Sequence, residues 1–318
     1  MIRIHFLNVG QGDCCIIEFL DFQRVAMIDI NRSSEMDKES SKEVLKSLNE
    51  NLYSYYDVLG YDVTKELLVE KGYDIKLQDP LEYLKEKNIY SIFRFISSHP
   101  HMDHLSGLFE LKKQFGFTNI WIVKNTYAQD LSDLTDCQKL DWALYTLMRD
   151  TSEDSLYGIT IISPEEGNQN QFYREDGIQI LAPNNIIKEG SDENANKLSY
   201  VLLIKYANRK ILLSADAEKE IWEYLTENHS EELNNIDILK AAHHGRDSGY
   251  YQPAVKKMAP KYTIVSVGKK PENDASNKYR CYSENVWSTR WKGNIVFEID
   301  NNGNITSNTQ YERQRYFL

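Results

Sequence analysis

Nowhere in the 318 residues do about 18 apolar residues run together, so no membrane-spanning helix is expected. Cysteine is scarce. Cys14, Cys15, Cys137 and Cys281 form no Cys-x-x-Cys pair, which argues against a disulfide framework and against a cysteine-based zinc site. The thiols are expected to be reduced, and Cys14 and Cys15, adjacent in a strand, to point to opposite faces. The opening MIRIHFLNVG lacks the basic start and long apolar stretch of a signal peptide, so a cytoplasmic location is expected. Positive charge is also short: 37 Lys and Arg against 48 Asp and Glu leave a net charge of −11, which disfavours a broad, sequence-blind grip on nucleic acid. A local basic path remains open through Lys269, Lys270, Lys278, Arg280, Arg290 and Lys292. With 41% apolar residues and no repeat, the chain is an ordinary globular one, long enough to bury a real core.

The strand signals come early. IRIHFLNV (2–9), CCIIEFL (14–20) and RVAMIDI (24–30) are separated by short turns and predict an antiparallel start. Residues 35–90 change to helical spacing with many charges, and PLEYLKEKN opens with Pro80 at a first helical position. This stretch is expected to be a helical insertion within a single domain spanning 1–318. Within it, the cluster Tyr53, Tyr55, Tyr56 and Tyr61 suits either a protein partner or a cap over an active site. Beyond it, strands are expected at 92–98, 119–124, 158–163, 177–183, 199–207, 209–215, 236–242, 262–268 and 294–300. Helices are expected at 105–115, over CQKLDWALYTLMRD and over AEKEIWEYLTEN. The strands at 199–207 and 209–215 are expected to meet at a hairpin turn of Asn-Arg type. Strands first, helices interleaved and strands again in each half suit two mixed sheets packed face to face with helices outside, an αββα sandwich.

The densest chemical signal is SSHPHMDHLSG, residues 97–107, with His99, His101, Asp103 and His104 in six positions. His99 and His101 fall on one side of an extended backbone, and Asp103 and His104 follow at the start of the next helix. A polar surface loop is the bland reading. Four ligand-type groups directly after an apolar strand favour a site for Zn²⁺ or a similar divalent ion. Two more strand ends deliver such groups: Asp216 in ILLSADAE, and His243 and His244 in LKAAHHGRDSG. Taken alone, Asp216 also suits the N-cap of the helix that follows, and His244 suits a supporting place beside a ligand. Three strand ends, each carrying His or Asp, imply convergence at one edge of the sandwich.

The motif HPHMDH resembles the H-x-H-x-D-H signature of the metallo-β-lactamase superfamily. With FLNVGQGDCCIIE, MIDI, NKLSYVLLIKY, ILLSADAE and LKAAHHG, it resembles the metallo-β-lactamase domain of ComEC-type competence proteins and their soluble relatives, in the same order from residue 8 to residue 245. The resemblance implies a metallo-β-lactamase-type fold and two divalent ions, Zn or Mn. It implies His99 and His101 on one ion, Asp103, His104 and His243 on the second, and Asp216 bridging both. It also implies an orienting role for Asp29, a tight turn over Gly10, Gln11, Gly12 and Asp13 near the site, and substrate-facing or supporting roles for Lys240, His244, Asn196 and Ser199. The chain departs from the pattern in several places. No histidine lies between His104 and His229 to complete the first ion, Ala215 stands where a Gly is usual, and Ile30 and Asn31 fill another Gly position. The segment after SVGKK has no histidine, so Asp274, Ser276, Asn277, Tyr279 and Arg280 are expected to take its place.

The implied chemistry is hydrolysis by a metal-activated water, with Asp103 or Asp216 orienting the nucleophile, His244 as general acid, and Lys240 or Arg280 clamping charge. A phosphodiesterase acting on DNA or RNA is the leading expectation, with Tyr279, Tyr282, Trp287 and Trp291 as candidate stacking residues, although Trp287 and Trp291 also suit plain core or edge positions. The alternatives are hydrolysis of a small phosphoester of cyclic-nucleotide or choline-phosphate type, suited to the acidic charge, and a weakly active regulatory or binding module. No membrane partner is expected.

Overall fold

The computed structural model describes residues 1–33, 77–167, 176–268 and 275–311. Most of the expected 35–90 insertion, including Tyr53, Tyr55, Tyr56 and Tyr61, therefore lies outside the described residues. The described part of that stretch contains α1 (Pro80–Glu86), whose N-cap Asp79 accepts from the Leu81 backbone N–H and which starts on Pro80.

The chain opens as an antiparallel meander of β1 (Ile2–Phe6), β2 (Cys15–Phe19) and β3 (Arg24–Ile28). The period of two decides its faces. Ile2, Ile4, Phe6, Cys15, Ile17 and Ile28 enter the core between the sheets, whereas Cys14, Ile16 and Met27 join an outer core. The two adjacent cysteines thus face opposite sides, and all four thiols are free. The first sheet is completed by β4 (Ile92–Ile96), β5 (Phe117–Trp121), β6 (Ser155–Leu156), β7 (Ile159–Ile162), β14 (Ile295–Ile299) and β15 (Ile305–Thr309), in the order β15-β14-β1-β2-β3-β4-β5-β7-β6. The second sheet runs β13-β12-β11-β10-β9-β8. Its strands are β8 (Ile178–Ala182), β9 (Val201–Tyr206), β10 (Arg209–Leu213), β11 (Ile238–Lys240), β12 (Tyr262–Val265) and β13 (Asn285–Ser288).

Each sheet is buried on both faces. Ile180, Leu202, Ile204, Ile211, Leu213, Ile238 and Ile264 meet the first sheet. The alternate residues Leu203, Leu212, Leu239 and Val265 pack with Trp222 of α4 (Lys219–Asn228) and Val255 of α5 (Gln252–Met258). On the other outer face, α1, α2 (Leu108–Gln114) and α3 (Asp136–Asp150) cover the first sheet. Burial on both faces is why runs such as VLLI and ILL are apolar throughout. The result is an αββα sandwich. No helix among the described residues is long and apolar enough to cross a membrane.

Three local expectations shift. The β9–β10 turn uses Ala207 and Asn208, not Asn208 and Arg209; both have positive φ (46° and 63°), as a tight two-residue hairpin requires. The helix expected from Leu105 is preceded by a single 3₁₀ turn, Met102–His104, and begins only at Leu108. Asp216 caps no helix, since the N-cap of α4 is Glu218.

One rule of topology now places the chemistry. β3, β4, β5 and β7 are parallel to one another, as are β10, β11, β12 and β13. Open α/β sheets bind ligands beyond the carboxyl ends of such strands. Asp29 follows β3, His99 follows β4, Asp216 follows β10, and His243 and His244 follow β11.

Candidate metal centre

These strand ends are tied into one surface by backbone hydrogen bonds. The Asp29 N–H donates to Ile96 O, Ile30 N–H to His104 O, Tyr200 N–H to Ser98 O, and His243 N–H to Ala215 O. The Gly10–Asp13 turn closes over them, with Asp13 N–H donating to Asp103 O at 3.1 Å. Gly12 has φ 140°, and a Cβ there would lie 2.5 Å from both Asp103 O and Asn31 Nδ2. No larger residue fits this approach. Asn31, in a position where glycine is usual, uses its amide to hold the turn by donating to Val9 O and Gln11 O.

Four non-glycine residues with left-handed backbone gather here: Asp29 (φ 59°), Ala215 (φ 43°), His243 (φ 50°) and His244 (φ 53°). Such conformations cost free energy and persist where surrounding structure imposes them, often at functional sites. At each of these strand ends the left-handed residue is a ligand-type group or stands directly before one.

Two groups of ligand atoms result, each with all its atoms within 4.8 Å of one another. One comprises His99, His101 and Asp216; the other comprises Asp13, His104, Asp216 and His244. Asp216 belongs to both. Its Oδ1 is 3.5 Å from His104 Nε2, and its Oδ2 is 3.8 Å from His99 Nε2 and 3.6 Å from His244 Nε2.

The imidazoles are oriented from behind. Asp29 accepts from His104 Nδ1 at 2.8 Å, from Ser98 N–H and from Ser98 Oγ. His244 Nδ1 donates to Ser266 O at 3.0 Å. Both rings therefore present Nε2 to the site, an arrangement by which an outer carboxylate or carbonyl fixes a metal-binding histidine. His104 Nε2, His244 Nε2, Asp13 Oδ1 and Asp216 Oδ1 are buried and have no hydrogen-bond partner among the described residues. Buried polar groups are normally satisfied. Four unsatisfied ligand atoms converging from separate segments fit a divalent cation, and the N/O donor set suits Zn²⁺ or Mn²⁺.

Electrostatics agree with this fit. Burial alone would raise Asp216, but His244, His104 and His99 outweigh it and hold the carboxyl well below its ordinary range. Asp103 is likewise held low by His104 and His244 against its burial. Burial depresses His99 and His101, which remain neutral and available as ligands. Burial also opposes charge on His104 and His244, yet Asp216, with Asp29 for His104 and Asp13 for His244, raises both. A cation entering the second group must displace their protons.

The geometry redistributes several sequence assignments. His244, not His243, joins Asp216 and His104, while Asp103 borders that group, 3.3 Å from His244 Nε2 and 3.9 Å from His104 Nε2. His243 falls outside both groups and lies at the rim, its Nε2 3.7 Å from Asp216 Oδ2 and its Nδ1 2.8 Å from Ser248 Oγ and 3.4 Å from Glu218 Oε1. Lys240, expected to clamp substrate charge, is buried beneath the site in an ion pair with Asp13. Asn196 is buried and donates to Glu218, while Ser199 is fully buried. Tyr279 is buried in the outer core, edge-on to Tyr250, and Asn277 and Arg280 are exposed. Asp274 lies outside the described residues.

Sequence reasoning did not single out Ser98, Glu218, Arg246 or Ser266, and it placed Asp13 only near the site. Each lies next to a strand-end ligand in sequence or reaches one across a loop, and no spacing rule marks such a contact.

No family model matches the chain, and no curated protein matches it. Among solved structures, the chain is similar to a metallo hydrolase from the hyperthermophilic archaeon Ignicoccus hospitalis KIN4/I, at 11% identity and a TM-score of 0.47 over 98% of this chain and 100% of that one. It is similar to the metallo-β-lactamase fold protein YhfI from Bacillus subtilis, at 10% identity and a TM-score of 0.46 over 97% and 100%. It is also similar to a diphosphatase of the PhnP family, at 8% identity and a TM-score of 0.36 over 97% and 99%. Likeness at this distance does not carry a reaction or a substrate from one chain to another.

Proposed function

We propose that this protein is a metal-dependent hydrolase acting on phosphodiesters. The observation that carries the reading is the pair of ligand groups sharing Asp216. His99, His101 and Asp216 would hold one divalent ion, and Asp13, His104, Asp216 and His244 the other. Two such ions supply an activated water and neutralise charge developing on phosphoryl oxygens.

The protein's own residues set the geometry around that chemistry. Asp29 and Ser266 fix the tautomers of His104 and His244. Asp103, about one-third exposed and held ionised, stands at the mouth of the site, where its carboxylate can accept a hydrogen bond from the attacking water and orient it. Arg246 is exposed at the rim beside His243 and supplies a cation for a phosphate oxygen, the role expected of Lys240. Tyr127 flanks His101, with ring centroids 5.7 Å apart.

A nuclease is the first reading of substrate. One observation favours the second, a small phosphoester. Trp287 is stacked on Phe297 at 5.8 Å, and Arg290 and Lys292 are buried, so this part of the basic aromatic path is taken up by packing. The test is purified protein with Mn²⁺ or Zn²⁺ against plasmid DNA, RNA and bis-p-nitrophenyl phosphate. Turnover of the small ester alone selects the second reading. No turnover of any phosphoester counts against both.

A further inference from the structure

The first ligand group has three side chains, His99, His101 and Asp216, against four in the second, and a further donor still leaves room for water on a five-coordinate ion. We propose that His243 supplies the third imidazole of this first ion, so that the His243–His244 dipeptide serves both ions, one residue each. The proposal rests on the two-ion reading above.

Geometry carries it. Two donors on one tetrahedral ion, at about 2.0–2.1 Å each, stand about 3.3 Å apart. His243 Nε2 is 3.7 Å from Asp216 Oδ2, and His99 Nε2 is 3.8 Å from the same oxygen. His243 is thus as near that carboxylate oxygen as an assigned ligand is; its nitrogens are not within 4.8 Å of every donor of the first group, so the loop that carries it has to close toward His99 and His101 when the ion binds.

The ring's orientation suits a ligand. Nδ1 faces Ser248 Oγ and Glu218, leaving Nε2 for the site. Glu218 is itself fixed by Asn194 Nδ2 at 2.9 Å and Asn196 Nδ2 at 3.1 Å. This is the carboxylate–histidine arrangement that orients metal-binding imidazoles. It also gives Asn196 a use other than substrate contact. Arg246 Nη1, on a solvent-exposed side chain, is 3.5 Å from the same Nε2 and would have to yield to an ion there.

His243 and His244 diverge. Each has left-handed backbone, their ring centroids are 6.3 Å apart, and their planes differ by 65°. His244 Nε2 is 3.3 Å from Asp103 and its ring centroid 5.2 Å from that of His104, while His243 turns Nδ1 to Ser248 and Glu218 and Nε2 toward Asp216 Oδ2. The second group already has four donors without His243.

The experiment uses the full chain loaded with Co²⁺. Each ligating imidazole shows a far-downfield N–H proton resonance by NMR, and competition with a chelator gives the two ion affinities. In His243→Ala, one such resonance should vanish and the weaker ion should lose at least about 100-fold in affinity, beyond the ~10–100-fold that loss of an outer partner costs. Glu218→Gln guards against a variant that misfolds. It should keep the resonance, speed its exchange with water, and weaken the same ion by about 10–100-fold. Unchanged resonances and affinities in His243→Ala overturn the proposal and leave the two-ion reading standing. A wild-type chain that binds no ion overturns both.

Discussion

Lys240→Met separates two accounts of one residue. On the sequence alone Lys240 reads as a charge clamp for substrate; in the structure it is buried and ion-paired with Asp13. Methionine keeps the length of the stem and removes the charge. Asp13 is then left buried without its cation, and breaking a buried pair in this way costs about 3–5 kcal/mol. An unfolding entropy of ~2.1 cal/mol/K per residue gives about 0.7 kcal/mol/K for 318 residues, so Tm should fall by about 4–7 °C. A saturating divalent ion gives Asp13 a second counter-charge, and the deficit should shrink when it is present. The pH dependence has a defined sign. Burial lowers the Lys240 ammonium, but Asp13, Asp216 and Asp29 outweigh it and hold it above its ordinary value. Its stabilisation is therefore full at neutral pH and is lost only as pH rises beyond the ordinary lysine range. Scanning calorimetry with chelator and with Mn²⁺, beside kinetics, is the assay. A variant with unchanged Tm and collapsed kcat/KM refutes the buried-pair account and restores the clamp.

Gly12→Ala forces a Cβ to within 2.5 Å of Asp103 O and Asn31 Nδ2 at φ 140°, so the Gly10–Asp13 turn must move off the site. Ion affinity at the group containing Asp13 should drop at least tenfold, with the rest of the fold kept, as read by chelator competition and circular dichroism. Unchanged affinity would show that the turn plays no part in the site. Glu218 is held at about 2, chiefly by its hydrogen bond with His243 and against the effect of burial. A depressed carboxyl stabilises the fold above its unfolded value and loses that contribution as pH falls toward the folded one. Denaturant midpoints should therefore decline from pH 5 to pH 3 more steeply in wild type than in Glu218→Gln, and parallel declines would contradict the contact.

Much of the architecture is legible in the residues because burial on both faces leaves uninterrupted apolar runs. CCIIEFL, VLLI and ILL mark strands, and His99, Asp216 and the two adjacent histidines follow strand ends directly. What the sequence does not carry is the direction in which a turn throws a side chain. His243 and His244 are neighbours, and only their successive left-handed conformations decide which one joins Asp103 and His104. Lys240 stands in a three-residue strand of which every residue is buried, too short for alternation to show which way it points. Its partner Asp13 is 227 positions away. Trp287 and Tyr279 look like stacking residues in composition, yet they pack on Phe297 and Tyr250. Asp216 was ambiguous between a helix cap and a ligand, because a carboxylate before a helix suits both. The structure gives the N-cap position to Glu218.

The most direct test of the two-ion centre is the metal content of the purified chain after equilibration with Zn²⁺ or Mn²⁺, read by elemental analysis against Asp216→Asn. The shared carboxylate predicts two ions per chain in wild type, the ion at the group containing Asp13, with its two carboxylates, held more tightly, and the loss of at least one ion in the variant. Two ions retained with unchanged affinity in Asp216→Asn, or none bound by the wild type, would contradict it.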